Sequence, residues 1–168
     1  MEIRDAVEAD LRRITEIYNE VLTTSTAIFN DRPATVEERI DWWKGRVEQG
    51  YPLLVAVEDG AVLGFATFGD FRSWPGYRFT VEGTIHIHSA ARRKGVGAEL
   101  LSALLERAKA AGKHVMIAGV DALNTVSLNF LEGHGFERAG HLHEVGYKFD
   151  RFLDLIFLEY RLTRRGAL

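Results

Sequence analysis

The stretch Thr84-Ile-His-Ile-His-Ser-Ala-Ala-Arg-Arg-Lys-Gly-Val-Gly-Ala-Glu-Leu-Leu101 constrains the fold more than any other part of the chain. Over Thr84 to His88, Ile85 and Ile87 alternate with His86 and His88, the period of two that a pleated strand needs. A basic turn follows, Arg92-Arg93-Lys94-Gly95-Val96-Gly97. Val96, Leu100, Leu104 and Ala108 then recur at every fourth position, with Leu101 and Leu105 in the neighbouring row, so the chain continues as an amphipathic helix. Gly95 and Gly97 let a ligand approach the backbone with no Cβ in the way. The first amides of a helix have no internal partner and carry the positive end of its dipole. Such a turn suits an anion, a pyrophosphate above all. Arg92, Arg93 and Lys94 add positive charge beside it. The dinucleotide fingerprint needs a third glycine where Leu100 stands, and the Gly-Lys-Ser/Thr of a nucleotide P-loop is absent. What remains is Arg-x-x-Gly-x-Gly, a pattern that ordinary strand-to-helix connections also use.

The size of the chain fits one domain: 168 residues, 46% hydrophobic and 27% charged, are enough for a proper core over residues 1–168. A net charge of −3 offers no basic field to a nucleic acid. Basic residues cluster only at Arg92 to Lys94 and at Arg164-Arg165, a solvated tail. With no cysteine there is no disulfide, thiolate or zinc–thiolate chemistry. No apolar run approaches the ~18 residues of a membrane span. Met1-Glu2-Ile3-Arg4-Asp5 has no secretory pattern, which gives a cytoplasmic expectation.

In chain order, Glu2 to Asp5 reads as a strand and Asp10 to Leu22 as a helix with Leu11, Ile14, Tyr18 and Val21 on one face. Thr23 to Pro33 is a loop carrying Phe29. Thr35 and Glu38 form a capping box for a helix that ends near Gln49-Gly50. Leu53 to Glu58 and Val62 to Phe68 are strands around the hairpin signal Asp59-Gly60. Gly69 to Thr80 is a polar and aromatic connection into the Thr84 strand. Val115 to Val120 is a nearly continuous apolar strand, as expected when both faces are covered. Asn124 caps a short helix closed by Gly133-His-Gly135. Phe136 to Ala139, His141 to Glu144, Tyr147 to Phe149 and Leu153 to Leu162 are the last strands. The expected fold class is a mixed α/β sandwich.

A second motif follows the first: Val120-Asp-Ala-Leu-Asn124-Thr-Val-Ser127-Leu-Asn-Phe-Leu-Glu-Gly-His-Gly135-Phe136, a strand, Asn-x-x-Ser and a short helix ending in Gly-Phe. With Arg-x-x-Gly-x-Gly upstream, the chain resembles the GNAT N-acetyltransferases over nearly its whole length. Thr26-Ala-Ile-Phe29, Tyr77-Arg-Phe-Thr-Val-Glu82 and Gly146-Tyr-Lys-Phe-Asp150 look like the phosphinothricin and methionine sulfone subgroup. The resemblance implies a GNAT fold, with a mixed and mostly antiparallel twisted sheet flanked by helices and a splayed central strand. It implies acetyl-CoA as co-substrate and no metal, a small-molecule amine as the other substrate, and a homodimer. The implied acetyl-CoA contacts are His86, Ile87 and His88 through their backbone, then Arg92, Arg93, Lys94, Gly95, Val96, Gly97, Ala98, Asn124 and Ser127. Glu82 matches the catalytic glutamate. The connection residues Arg72, Trp74, Pro75, Gly76, Tyr77 and Arg78, with Phe29 and Glu82, are the expected substrate contacts.

The chemistry needs a base, because an ammonium has no lone pair and a carboxylate with a raised pKa can take its proton. A solvated glutamate at a strand entrance is the plainer alternative for Glu82, and a helix N-cap for Asn124. Two positions depart from the family. Phe149 stands where relatives of the herbicide-resistance branch have a histidine paired with the glutamate, and Leu131 where many members have a tyrosine that protonates the leaving thiolate. The acid is therefore unassigned, and water or Ser127 could suffice. His86 with His88, and His141 with His143, are each two apart on a strand, but no carboxylate accompanies them at ligand spacing, so no metal site is expected. Acetylation of a peptide N-terminus or a lysine, or a non-catalytic acyl-CoA sensor, stay open as alternatives.

Overall fold

Seven strands and four helices form the chain in the computed structural model, which describes residues 1–164. Arg165 of the basic tail lies outside the described residues. The strands are β1 (Glu2–Asp5), β2 (Leu53–Glu58), β3 (Ala61–Asp70), β4 (Thr80–Ile87), β5 (Val115–Asp121), β6 (Glu137–Lys148) and β7 (Arg151–Arg161). The helices are α1 (Leu11–Thr24), α2 (Val36–Glu48), α3 (Val96–Ala110) and α4 (Thr125–Gly133). One sheet has the order β1-β2-β3-β4-β5-β7-β6, antiparallel throughout except for the β4/β5 pair, which α3 joins.

Alternation along the strands supplies a core on each face. Leu54 and Ala56 of β2, Val81 of β4, Met116 and Ala118 of β5 and Ile156 and Leu158 of β7 pack with Leu100, Leu101, Leu104 and Leu105 of α3 and Leu128 and Leu131 of α4. On the opposite face Leu53, Val55 and Phe65 pack with Leu11, Ile14 and Ile17 of α1, flanked by Ile40, Trp42 and Trp43 of α2. The second cluster draws its sheet residues from β2 and β3 only, so α1 and α2 cover one half of that face and leave the β5, β7 and β6 half to loops.

Local signals account for several boundaries. Thr35 Oγ1 accepts from the Glu38 amide at 3.2 Å, and the Thr35 amide donates to Glu38 Oε2 at 2.8 Å, the reciprocal box that starts α2. Asp59 and Gly60 adopt φ of 50° and 77°, the left-handed pair of a tight hairpin.

Three boundaries differ from expectation. Strand β4 begins at Thr80 rather than Thr84 and ends at Ile87, so Glu82 lies inside the strand and His88 outside it. Strand β3 runs on to Asp70, because β4 pairs with it that far. The three segments expected between Phe136 and Phe149 are one strand, β6, broken by register shifts at Arg138/Gly140 and Leu142/Gly146. Those irregularities interrupt the period of two, which is why the sequence reads as fragments. Phe149 and Asp150 then form the β6–β7 turn with φ of 51° and 57°.

Leu104 is fully buried between α3 and β4, near Gly83. Leu104→Ala is expected to cost about 2–5 kcal/mol, read as a lower urea midpoint with an unchanged m value.

Candidate active site

Strands β4 and β5 are in register only at Thr80↔Val115, Val81↔Met116 and Glu82↔Ile117. Beyond Glu82, β4 keeps its partners on β3, from Gly83↔Phe68 to Ile87↔Gly64, while β5 keeps its partners on β7, from Ala118↔Leu158 to Asp121↔Leu155. The sheet therefore opens as a wedge with Glu82 at its apex.

In an antiparallel ladder, alternate residues direct both backbone groups at the partner. The amide of His88 donates to Leu63 O at 2.9 Å and that of Phe71 to Thr80 O at 3.4 Å. The even-numbered residues of β4 thus bond β3, and Ile85 and Ile87 turn their backbone groups toward the wedge. Of His86, Ile87 and His88, Ile87 is the one whose backbone faces that gap, where its carbonyl accepts from Arg92 Nε at 3.4 Å. The His86 ring lies buried on the α1 face, edge-on to Phe65 at 5.4 Å and to Tyr18 at 6.5 Å. Burial pushes its pKa down to about 4, helped by the Arg39 and Arg92 charges, so it is neutral. His88 Nδ1 accepts from the Ala90 amide at 3.3 Å, and its Nε2 lies 3.7 Å from Glu20.

The turn into α3 has the expected character. Gly95 is the N-cap residue with φ of 82°, and no side chain caps the helix. The first helical bond is from Glu99 N to Gly95 O at 3.2 Å, which leaves the amides of Val96, Gly97 and Ala98 without an internal partner. Arg92, Arg93 and Lys94 are exposed around them, while Val96 is buried in the core. The two glycines differ. Gly95 is required by its left-handed backbone, whereas a Cβ at Gly97 would touch the Phe130 ring of α4 at 3.4 Å. Asn124 Oδ1 caps α4 by accepting from the Ser127 amide at 3.1 Å, and both residues are half-buried beside the opened end of β5.

The other side of the wedge is the half of the sheet that α1 and α2 leave uncovered. Gly119 of β5 is exposed although Ala118 and Val120 are buried, and a Cβ there would lie 3.4 Å from Glu82 Oε1, 3.3 Å from Leu155 and 3.7 Å from Phe157. Phe157 packs edge-on to Phe71 at 5.9 Å, and Phe71 to Tyr77 at 5.9 Å. The Arg72 guanidinium stands 5.3 Å from the Phe71 ring and 5.9 Å from that of Tyr77. Phe29 lies against Gly146 and Leu153, farther along the same face of β7. Glu82 is half-buried here, and burial raises its pKa above the ordinary glutamate value.

The expected substrate contacts do not all converge. Arg78 is turned away: its Nη1 donates to Pro75 O at 3.0 Å, its guanidinium covers Phe79 at 4.6 Å, and Lys113 bonds its carbonyl. Trp74, Pro75 and Gly76 form an exposed turn. Leu131 is a core residue, and Phe149 stands exposed at the tip of the β6–β7 hairpin. The carboxylate that the local sequence lacked beside the paired histidines comes from across the hairpin. His141 Nε2 is 2.8 Å from Asp154 Oδ2, His143 stacks on His141 at 4.1 Å, and the three ligand atoms lie within 4.8 Å of one another. Asp154 Oδ1 also accepts from the Glu144 amide at 2.8 Å, so the group braces the bulge in β6.

The profile of the Acetyltransferase (GNAT) family matches residues 11–136. The chain belongs to the GNAT acetyltransferase family. It is 43% identical over 167 residues to the L-methionine sulfoximine/L-methionine sulfone acetyltransferase of Salmonella typhimurium, covering 99% of this chain and 98% of that one. Among solved structures, yncA from Salmonella typhimurium, with its cofactor acetyl-CoA, superposes with a TM-score of 0.95 at 43% identity, covering 99% of this chain and 96% of that one. A GNAT phosphinothricin acetyltransferase from Sinorhizobium meliloti, in complex with acetyl-CoA, superposes with a TM-score of 0.95 at 38% identity, covering 99% and 91%. The mixed sheet and its helices are thus the GNAT fold. No helix among the described residues is long and apolar enough to cross a membrane.

Sequence reasoning missed Ile85, Gly119, Leu155 and Phe157. Ile85 was legible from the strand alternation, once Ile87 was chosen. Gly119 had a signal too, since a glycine inside an apolar strand marks a close approach. The β7 residues had none, because only the pairing of β5 with β7 brings them to Glu82.

The raised pKa has a consequence for stability. Folded Glu82 keeps its proton at a pH where the unfolded chain has lost it. Its stabilising contribution is complete below the ordinary glutamate pKa and is lost as pH rises through the raised value. Glu82→Gln removes this loss. Urea midpoints of the two proteins are expected to diverge with rising pH, the variant being the more stable at neutral pH.

Proposed function

We propose that this GNAT protein is an acetyl-CoA-dependent N-acetyltransferase for small amino acids of the methionine sulfone, methionine sulfoximine and phosphinothricin kind. The observation that carries the reading is Glu82, a half-buried carboxylate with a raised pKa at the apex of the wedge, beside Phe157, from which a run of ring contacts leads through Phe71 to Tyr77. The names of the full-length relatives point to the same substrates.

The residues around the wedge fit acetyl-CoA. Uncapped amides of Val96, Gly97 and Ala98, with Arg92, Arg93 and Lys94, suit its pyrophosphate. Backbone groups of Ile85 and Ile87, together with Asn124 and Ser127, line the path of its amide-bearing arm. Acetyl-CoA supplies an acetyl group activated as a thioester, which a neutral amine can take and an ammonium cannot. Glu82 accepts the proton of the ammonium, directly or through one water, and the pKa that burial raises makes it a stronger base for that task. Arg72 offers a guanidinium fork for the substrate carboxylate. The aromatic walls enclose a compact side chain and exclude water. With no cysteine to carry the acetyl group, transfer is direct within a ternary complex. A co-substrate that is a cytoplasmic metabolite brings a cytoplasmic location with it.

A homodimer is part of the reading. Strand β6 is a sheet edge of 12 residues, and Leu142, Val145, Tyr147, Phe149 and Phe152 are exposed on its hairpin, an arrangement that a second copy would cover. Sedimentation at micromolar concentration is expected to give the dimer, and a stable monomer would remove it.

An amine panel with thiol release as readout tests the activity. Methionine sulfone and phosphinothricin are expected to turn over, and their methyl esters to lose about tenfold or more in kcat/KM, as the loss of a charged hydrogen bond implies. Glu82→Gln is expected to lower kcat by about 10²- to 10⁴-fold with acetyl-CoA affinity retained, and to recover partly at high pH, where the amine is already neutral. Wild-type kcat and an unchanged pH profile in that variant would falsify the role.

A further inference from the structure

Lys148, near the end of β6, is only 4% exposed, and it forms no ion pair with a carboxylate among the described residues. Its Nζ instead donates to three backbone carbonyls, Leu22 O at 2.5 Å, Ser25 O at 2.8 Å and Ile28 O at 2.8 Å. An ammonium has three protons and no acceptor capacity, so all its donors are engaged. Burial lowers its pKa, and the carbonyl dipoles replace the water it has lost.

The three acceptors belong to one short stretch. Leu22 is in the last turn of α1, whose final carbonyls have no helical partner and carry the negative end of the dipole. Ser25 is the C-cap residue, in an extended conformation. Ile28 precedes Phe29. A single cation thus terminates α1 and folds the turn after it down onto the sheet. The same turn has a second tether, because Thr26 Oγ1 donates to the carboxylate of Asp121, which is buried at the wedge end of β5. The result is the position of Phe29. Its ring occupies the space over Gly146 so closely that a Cβ there would lie 2.5 Å from two ring atoms and 3.4 Å from Leu153. Leu153, Leu155 and Phe157 share one face of β7, and Leu155 and Phe157 adjoin Glu82 above Gly119.

We propose that Lys148 is a positioning residue for the amine site, fixing the 25–29 turn so that Phe29 closes the far side of the cleft. This rests on the acetyltransferase reading above for its kinetic arm, and on the geometry alone for its structural arm. Lys148 touches neither the reacting amine nor the thioester; it acts through the turn. Without the clamp, the turn that carries Phe29 would keep the Ser25 bonds to Val21 O and only Thr26 as its tether to β5.

The test uses full-length Lys148→Met, Lys148→Arg and Phe29→Ala. Hydrogen exchange of the peptide covering residues 22–31 is expected to speed up about tenfold or more in Lys148→Met, with α3 and β4 unchanged, as the loss of several hydrogen bonds predicts. The amine KM is expected to rise about tenfold with kcat little changed and with acetyl-CoA affinity retained by calorimetry. Lys148→Arg, which keeps charge and donors, should recover part of both effects. Phe29→Ala should raise the amine KM without the exchange change, and combining it with Lys148→Met should add little, since both act on one wall. Exchange in residues 22–31 unchanged in Lys148→Met overturns the clamp. Faster exchange with an unaltered amine KM, or additive effects of the two substitutions, overturns its role in the site. A wild-type protein that turns over no amine sinks the acetyltransferase reading instead, and leaves the exchange result to decide the clamp.

Discussion

Everything at the centre of this protein depends on how briefly β4 and β5 stay together. They share three residue pairs, and then each strand follows its other neighbour. A sheet normally leaves no backbone group unsatisfied between adjacent strands. Here the divergence exposes the backbone of Ile85 and Ile87 in the interior of the sheet, a row of donors and acceptors that a ligand arm can pair with as a strand would. The same divergence aims the uncapped start of α3 at one end of the opening and puts Glu82 at the other.

The two faces of the sheet are built for different work. On one, α3 and α4 cover the strands from β2 to β7 with a continuous apolar layer. On the other, α1 and α2 cover β2, β3 and the His86 end of β4, and loops take over beyond. That partial cover produces the cleft, since it leaves Gly119 open in the middle of an otherwise buried strand and lets Glu82 be half-buried rather than solvated. Burial without a counter-charge raises the carboxyl pKa, as a base for an ammonium requires. His86, four residues farther along β4 on the same face, shows the opposite outcome: under the complete part of the layer it is shut in, neutral and packed.

Hydrogen bonds made by side chains hold the loops that finish the cleft. Lys148 gathers three carbonyls at the end of α1, Thr26 reaches Asp121, and the Glu20 carboxyl, held below its usual pKa by the Ser89 side chain and then by the Ser89 amide, accepts from that amide at 3.3 Å. None of these requires regular secondary structure, so residues 25–34 can cover the sheet without a helix.

The sequence by itself determined the local units. The alternation of Ile85 and Ile87, the fourfold spacing from Val96 to Ala108, the Thr35–Glu38 box, Asp59-Gly60 and Asn124 each act within a few residues, and each formed as read. The glycine turn and Asn-x-x-Ser carried the family for the same reason, since a helix start presents its amides whatever surrounds it. Tertiary structure decided what depends on pairing between distant strands. It moved Glu82 into β4, brought Phe157 and Leu155 to it through β7, folded Arg78 back on Pro75 and Phe79, and buried Leu131 in the core. It also joined His141 and His143 to Asp154, and Lys148 to the end of α1. Charge and hydrogen-bonding capacity are written in residue type, but which partner satisfies them is set by register, and register is fixed only when the whole sheet closes.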